Sequence, residues 1–271
     1  MAHTYQYVTN GPEYDFPEYL GVPQCTYVVA SSPRCGSNML QRALWRTFKA
    51  GAPEEYLARG YISDFRMRWN LPEKMNCESL RSYVQMLMRH RTSDNGTFGI
   101  KVHGSHLASE MLNGMDLGEL LPNYKLLVVR RADKVRQSVS YALARETGVW
   151  IRDGQWLPNK APLTDEPEYK TSLLLDCLGG IEFEESVWDA YIEQRDLDVY
   201  TVMYEDLVEE FEVTIDRVLR FLGIRKHVAR IVGPQIDPQT TAINDTWAKA
   251  FAAFLKDTAV SYHPRPVASS N

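Results

Sequence analysis

With 271 residues, 44% of them hydrophobic, the chain is long enough to bury a sizeable core and reads as a single α/β domain. Its net charge of −5 argues against general binding to nucleic acid or anionic membranes, although local arginine clusters still suit one anionic ligand. The N-terminus lacks the apolar core of a secretory signal, and no apolar run approaches the roughly 18 to 20 residues that span a bilayer. Four scattered cysteines show no metal-ligand spacing, so a cytoplasmic protein with reduced thiols and no bound metal is expected.

Residues 1–24 are polar and aromatic and read as an N-terminal extension to one domain spanning 1–271. Residues 26–44, TYVVASSPRCGSNMLQRAL, combine a buried strand, a tight turn of small residues and an amphipathic helix. That is the architecture of a phosphate cradle. Free N–H groups at a helix N-terminus bind anions, Gly36 permits close approach, and Arg34 adds a forked positive charge. The nucleotide triphosphatase pattern, with two glycines and a lysine, is not matched.

TFGIKV, at 97–102, predicts a second strand after the turn dipeptide Asn95-Gly96. YKLLVVR, at 124–130, is an unbroken apolar run of the kind buried on both faces, and Asp133 caps the helix that follows. Residues 147–169 form a Gly- and Pro-containing loop too long for a plain connector. A long helix is expected near 173–194, a strand at 198–204 and a helix over 205–222 ended by Gly223. The tail 260–271 has the composition of a mobile end. Alternating strands and helices predict a mostly parallel sheet with helices on both faces, a P-loop-like three-layer fold.

Arg130 and Arg131 end the best strand, and Ser138 and Ser140 lie on the helix after it. Ligands in open α/β sheets lie beyond the carboxyl ends of the strands, so these groups converge with the Arg34 turn on one rim. Two separated phosphate sites fit a nucleotide phosphorylated at both its 5′ and 3′ positions. The alternative for Arg130 is a plain ion pair with an acidic neighbour. Glu54 and Glu55, taken alone, read as a solvated charge pair.

The segments ASSPRCGSNMLQRAL, GAPEEYL, FGIKVH, LLVVRRADKVRQSVSYALARETGVW and VMYEDLVEEFEVTIDRVLRFLGI occur in the order and spacing of a known family. Over about residues 26–223 the chain resembles bacterial carbohydrate sulfotransferases of the trehalose 2-sulfotransferase and Nod-factor sulfotransferase type. The resemblance implies transfer of a sulfuryl group from 3′-phosphoadenosine 5′-phosphosulfate (PAPS) to a sugar hydroxyl without a metal, leaving 3′-phosphoadenosine 5′-phosphate (PAP). It implies that Arg34, Cys35, Gly36, Ser37 and Asn38 hold the 5′-phosphosulfate. Arg131 and Ser140 would hold the 3′-phosphate, with Ser138 as the alternative serine. Glu55 matches the catalytic carboxylate, and Pro33, Pro53 and Tyr56 fall where the acceptor is held.

Lys101 and His103 resemble the Lys-x-His pair of cytosolic eukaryotic sulfotransferases, so two bases are on offer, Glu55 and His103, with Lys101 assisting either. Ala52 stands where the trehalose enzyme has a sugar-binding glutamate, which leaves the acceptor open as a sugar or related small metabolite. Trp69, Trp150 and Trp156 offer flat faces for it. Asn244-Asp245-Thr246-Trp247 resembles a nucleotide-contacting segment of the eukaryotic enzymes. The resembling family includes dimers, so a homodimer is a further expectation. The competing readings are a nucleotide-dependent kinase and a non-catalytic nucleotide-binding protein.

Overall fold

The computed structural model describes residues 11–109, 112, 114–150, 167–225 and 242–257. In chain order the elements are β1 (Cys25–Ser31), α1 (Ser37–Arg46), α2 (Arg59–Arg68), α3 (Cys77–Arg91), β2 (Thr97–His103), α4 (Gly104–Leu107), α5 (Leu117–Leu120) and β3 (Lys125–Arg130). They continue as α6 (Lys134–Thr147), α7 (Thr171–Glu193), β4 (Val199–Met203), α8 (Tyr204–Glu209), α9 (Phe211–Phe221) and α10 (Ala242–Asp257). The four strands among the described residues are parallel and lie in the order β2-β1-β3-β4. The chain moves to one side of β1 and then crosses to the other, and a ligand crevice opens at such a reversal.

Alternation along β1 assigns its side chains to two cores. Val28 and Ala30 pack with Phe98, Ile100, Val102, Leu126 and Val128 under α2, α3 and Trp188 of α7. Tyr27 and Val29 face the other way, with Leu127, Val129 and Val202, under α1 and α9. Gly99 leaves room there for the Tyr27 ring, which a Cβ would meet at 2.2 Å. A third apolar cluster joins α6, α7 and α10 around Val139, Leu174, Leu178, Trp247 and Phe251.

The parallel sheet, its four strands and the long helix stand where the sequence places them. The helix expected over 205–222 is instead two, broken at Glu210, whose backbone (φ −128°, ψ 47°) leaves the helical region. No glycine or proline marks that break. The stretch between α1 and β2 holds two helices that the sequence reading did not mark. Of these, α3 is started by a reciprocal cap between Asn76 and Ser79 and buries Leu80, Tyr83, Val84 and Leu87.

The described part of the N-terminal extension docks on α3. Asp15 Oδ1 lies 3.1 Å from Nε of Arg91, a fully buried guanidinium, and Asp15 also pairs with Arg68. Main-chain bonds from Phe16 N–H to His90 O and Tyr19 N–H to Arg89 O continue the attachment. Most of the expected 147–169 loop and the whole 260–271 tail lie outside the described residues, as does Trp156. No described helix is long and apolar enough to cross a membrane.

Candidate active site

The turn after β1 is built for a left-handed backbone at two places. Arg34 has φ 64° and Gly36 has φ 95°. Gly36 is required twice over, because a Cβ there would also meet Cδ2 of Tyr204 at 2.7 Å. Gly36 is the N-cap of α1 and its carbonyl accepts from Met39 and Leu40 N–H. The N–H groups of Cys35, Gly36, Ser37 and Asn38 make no hydrogen bond among the described residues, which leaves a nest of donors for an anion. The Cys35 side chain is fully buried in the core against α1 and α9, so this residue offers a ligand only its backbone.

Arg34 reaches α6, where Nε donates to Ser140 Oγ at 3.0 Å, and Nη1 donates to the carbonyl of Trp150. Burial, and then the neighbouring charge of Arg131, lower its pKa to about 10. Arg131 lies with its guanidinium carbon 4.3 Å from the centre of the Tyr204 ring. Its Nε is buried with no hydrogen-bond partner among the described residues, and burial lowers its pKa as well. A buried guanidinium nitrogen left without an acceptor, beside a second arginine and a nest of N–H groups, fits a phosphorylated anion.

Ser138, the alternative serine, is fully buried and donates to the Lys134 carbonyl at 2.7 Å within its own helix. Ser140 is the one that joins the Arg34 cluster. Arg130 takes the ion-pair alternative, with Nη1 3.1 Å from Glu185 Oε2 and Nη2 on Asp189.

The carboxyl ends of β1 and β2 are flush, Val29 pairing with Lys101 and Ser31 with His103. Lys101 and His103 therefore share the face that α1 covers. Lys101 is 1% exposed, and its Nζ lies 2.7 Å from Glu55 Oε1 and donates to Asn38 Oδ1. His103 Nε2 lies 3.4 Å from the same Oε1. On its other side Nδ1 lies 3.1 Å from both the carbonyl oxygen and the hydroxyl of Ser31, and its role as donor or acceptor follows the ring's tautomer. Both ring nitrogens of His103 are thereby engaged. Glu55 Oε2 makes no hydrogen bond among the described residues.

Burial alone would raise the Glu55 pKa, but the charges of Lys101 and His103 and their hydrogen bonds hold it well below the usual carboxylate range. Burial pulls His103 down, and the charge and hydrogen bond of Glu55 overcome it, so the net shift is upward. His106 Nδ1 accepts the His103 backbone N–H at 3.2 Å, and burial followed by the His103 charge lowers it to about 4. His106 is neutral at physiological pH.

Several sequence expectations are corrected. Tyr56, expected where the acceptor is held, has no exposed surface. It is fully buried, donates to the Ala52 carbonyl and packs edge-on to Tyr61 and Phe65, because an aromatic following Glu55 turns inward as Glu55 turns out. Pro53 is also buried, whereas Pro33 is half-buried. Glu54 is no solvated charge, since Oε2 accepts from the Tyr61 hydroxyl at 2.7 Å and its carbonyl accepts the Lys101 N–H at 2.8 Å. Trp69 belongs to the core, stacked on His90 and against Phe65. Trp247 is buried under α6 and α7, and Asp245 pairs with Arg136 at 2.6 Å. The reading also passed over Tyr204 and Gln137. Tyr204 packs between Gly36 and Arg131, while Gln137 ties the turn to α6. Their signal was position alone, at a strand end and on the α6 face that carries Ser140.

The model of the Stf0 sulphotransferase family matches residues 26–253, most of the chain. The chain belongs to the Stf0 sulfotransferase family. Among curated proteins, trehalose 2-sulfotransferase of Mycolicibacterium smegmatis is 24% identical over 260 residues, covering 83% of this chain and 93% of that protein. Among solved structures, the sulfotransferase domain of the Synechococcus PCC 7002 olefin synthase superposes with a TM-score of 0.47 at 15% identity, covering 92% of this chain and 98% of that one. Sulfotransferase STF9 from Mycobacterium avium gives 0.46 at 13% identity, covering 93% and 71%. The family match spans the anion turn, the Glu55, Lys101 and His103 cluster, and Arg131 in this Stf0 chain.

Proposed function

We propose that the protein transfers a sulfuryl group from PAPS to a hydroxyl of a carbohydrate or related small metabolite. The observation that carries this reading is the placement of an ionised carboxylate, one of whose oxygens makes no hydrogen bond among the described residues, beside a donor-lined turn. The backbone of residues 35–38 and Arg34 would hold the 5′ end of the nucleotide, and Arg131 with Ser140 its 3′-phosphate. When bound, PAPS supplies the sulfuryl group and leaves as PAP.

Glu55 Oε2 takes the proton of the acceptor hydroxyl, whose acidity rises as its oxygen bonds to sulfur and the bond from sulfur to the phosphate oxygen breaks. Lys101 keeps Glu55 ionised and adds positive charge beside Asn38, at the end of the nest, where charge on the leaving oxygen develops. His103 is the weaker candidate for the base because both of its nitrogens are occupied. Ala52, 3% exposed and with its N–H on the Arg91 carbonyl, offers an acceptor sugar no hydrogen-bonding side chain. This supports an acceptor other than trehalose.

Family membership favours this reading over a kinase, and turnover distinguishes it from a non-catalytic binder. Calorimetry should show PAP binding more than about tenfold tighter than adenosine 5′-phosphate, since charge-assisted bonds to a 3′-phosphate are worth about 1.5 to 3 kcal/mol. A panel of sugars with PAPS, read by mass spectrometry for one added sulfuryl group, identifies the acceptor. Equal affinity for the two nucleotides would overturn the two-phosphate site.

A further inference from the structure

We infer that Gln137 is a positioning residue that aims the anion turn, acting through the carbonyl of Pro33. It is fully buried on α6, one helical turn before Ser140. Its Nε2 donates to Pro33 O at 2.8 Å and to Ser32 Oγ at 3.0 Å. The amide has only one useful orientation. Lys134 Nζ, a donor, faces Gln137 Oε1 at 3.4 Å, so the nitrogen is turned toward the loop. Lys134 is in turn paired with Glu185 Oε1 at 2.5 Å, the oxygen that also accepts from Ser32 Oγ at 3.3 Å.

The mechanical consequence follows from the planarity of a trans peptide, whose C=O and N–H point in opposite directions. Fixing the Pro33 carbonyl against α6 sends the Arg34 N–H away from α6. It also fixes the peptide plane that enters Arg34, a residue held at φ 64°, a region unfavourable for a side chain with a Cβ. The same helix then holds the Arg34 side chain through Ser140. Backbone and side chain of one residue are thus clamped by two positions of α6 on one face. Gln137 touches no ligand in this arrangement. It presets the turn, so that binding does not have to supply the cost of ordering it.

The inference rests on the reading of the turn as the holder of the nucleotide's 5′ group. Gln137→Glu keeps the shape but sets a carboxylate, which only accepts, against the Pro33 carbonyl. Calorimetry with PAP and with adenosine 3′-phosphate is run on the wild type, on Gln137→Glu and on Gln137→Met, and melting temperatures are recorded. PAP affinity should fall about tenfold or more in both variants, while affinity for adenosine 3′-phosphate, which has no 5′ group, should change little. A wild type that does not bind PAP would refute the functional reading itself. A wild type that binds, with folded variants that bind PAP as well as it does or lose both nucleotides equally, would overturn the role of Gln137. Failure of both variants to fold would overturn it too, marking Gln137 as a core residue.

Discussion

Lys101 Nζ and Glu55 Oε1 lie 2.7 Å apart, with the lysine almost wholly buried at the end of β2 and the carboxylate side chain 27% exposed. A buried ammonium needs a partner, and here the partner is itself only partly buried. The pair therefore does two things at once, neutralising the lysine and keeping the carboxylate charged.

If Glu55 is the base that the proposed function assigns, Glu55→Gln should preserve PAP affinity and lower turnover by about a hundredfold or more. His103→Ala should cost much less. Release of PAP with an active acceptor measures both. The reverse order would make His103 the base, and near-normal rates in both variants would remove both.

His103 also predicts a pH dependence of stability. Its folded pKa lies above the ordinary 6.5, so its stabilising contribution is complete below 6.5 and is lost as pH rises through the folded value. The difference in urea midpoint between wild type and His103→Gln should therefore be largest near about pH 6 and shrink on going to about pH 9. A difference that stays constant across that range contradicts the ion pair with Glu55.

Gly36→Ala should abolish PAP binding. At φ 95° the new side chain costs about 1 to 2 kcal/mol through the backbone alone, and its Cβ would press on the Tyr204 ring. Adding Tyr204→Ala removes the contact but not the backbone cost, so calorimetry on the double variant should show partial recovery at most.

The two serines of α6 should separate cleanly. Ser140→Ala removes the acceptor of Arg34 Nε and should weaken PAP several-fold, on the scale of about 1 kcal/mol for one hydrogen bond. Ser138→Ala, which loses only a bond within the helix, should bind PAP as the wild type does.

Asp15→Ala leaves the buried Arg91 guanidinium without its counter-charge and should destabilise the fold by about 3 to 5 kcal/mol in urea titrations. Replacing both, with Arg91→Met, should recover much of the loss. An Asp15→Ala protein as stable as the wild type would show that the extension contributes no stability through this pair.

The strand, turn and helix of residues 26–44 were legible because they are local. A strand, a run of small residues and a helix start are contiguous, and their spacing alone exposes the donors. The β1, β2 and β3 strands were legible as apolar runs. The partners of the charged residues were not, since they depend on chain crossings that no local pattern encodes. Nothing near Arg130 in the sequence marks Glu185 and Asp189 as its counter-charges, and nothing near Arg91 marks Asp15. Tyr56 was misplaced because the segment around Glu55 has no regular period from which to read which side faces inward. The break at Glu210 carried no glycine or proline, and α2 and α3 sit in a stretch where charged and apolar residues alternate too irregularly to stand out.

Among the described strands, β1 alone is hydrogen-bonded both to β2, which carries Lys101 and His103, and to β3, which leads to Arg131. It acts as an axle between two clusters that share no other ladder among the described residues. On the proposed function, a perturbation that rotates or slides β1 would displace the proposed base and the proposed nucleotide anchor together, so lesions in this strand should scale nucleotide affinity and turnover in parallel. Lesions in β2 or in α6 should shift one half against the other, and variants that uncouple affinity from rate are to be sought there.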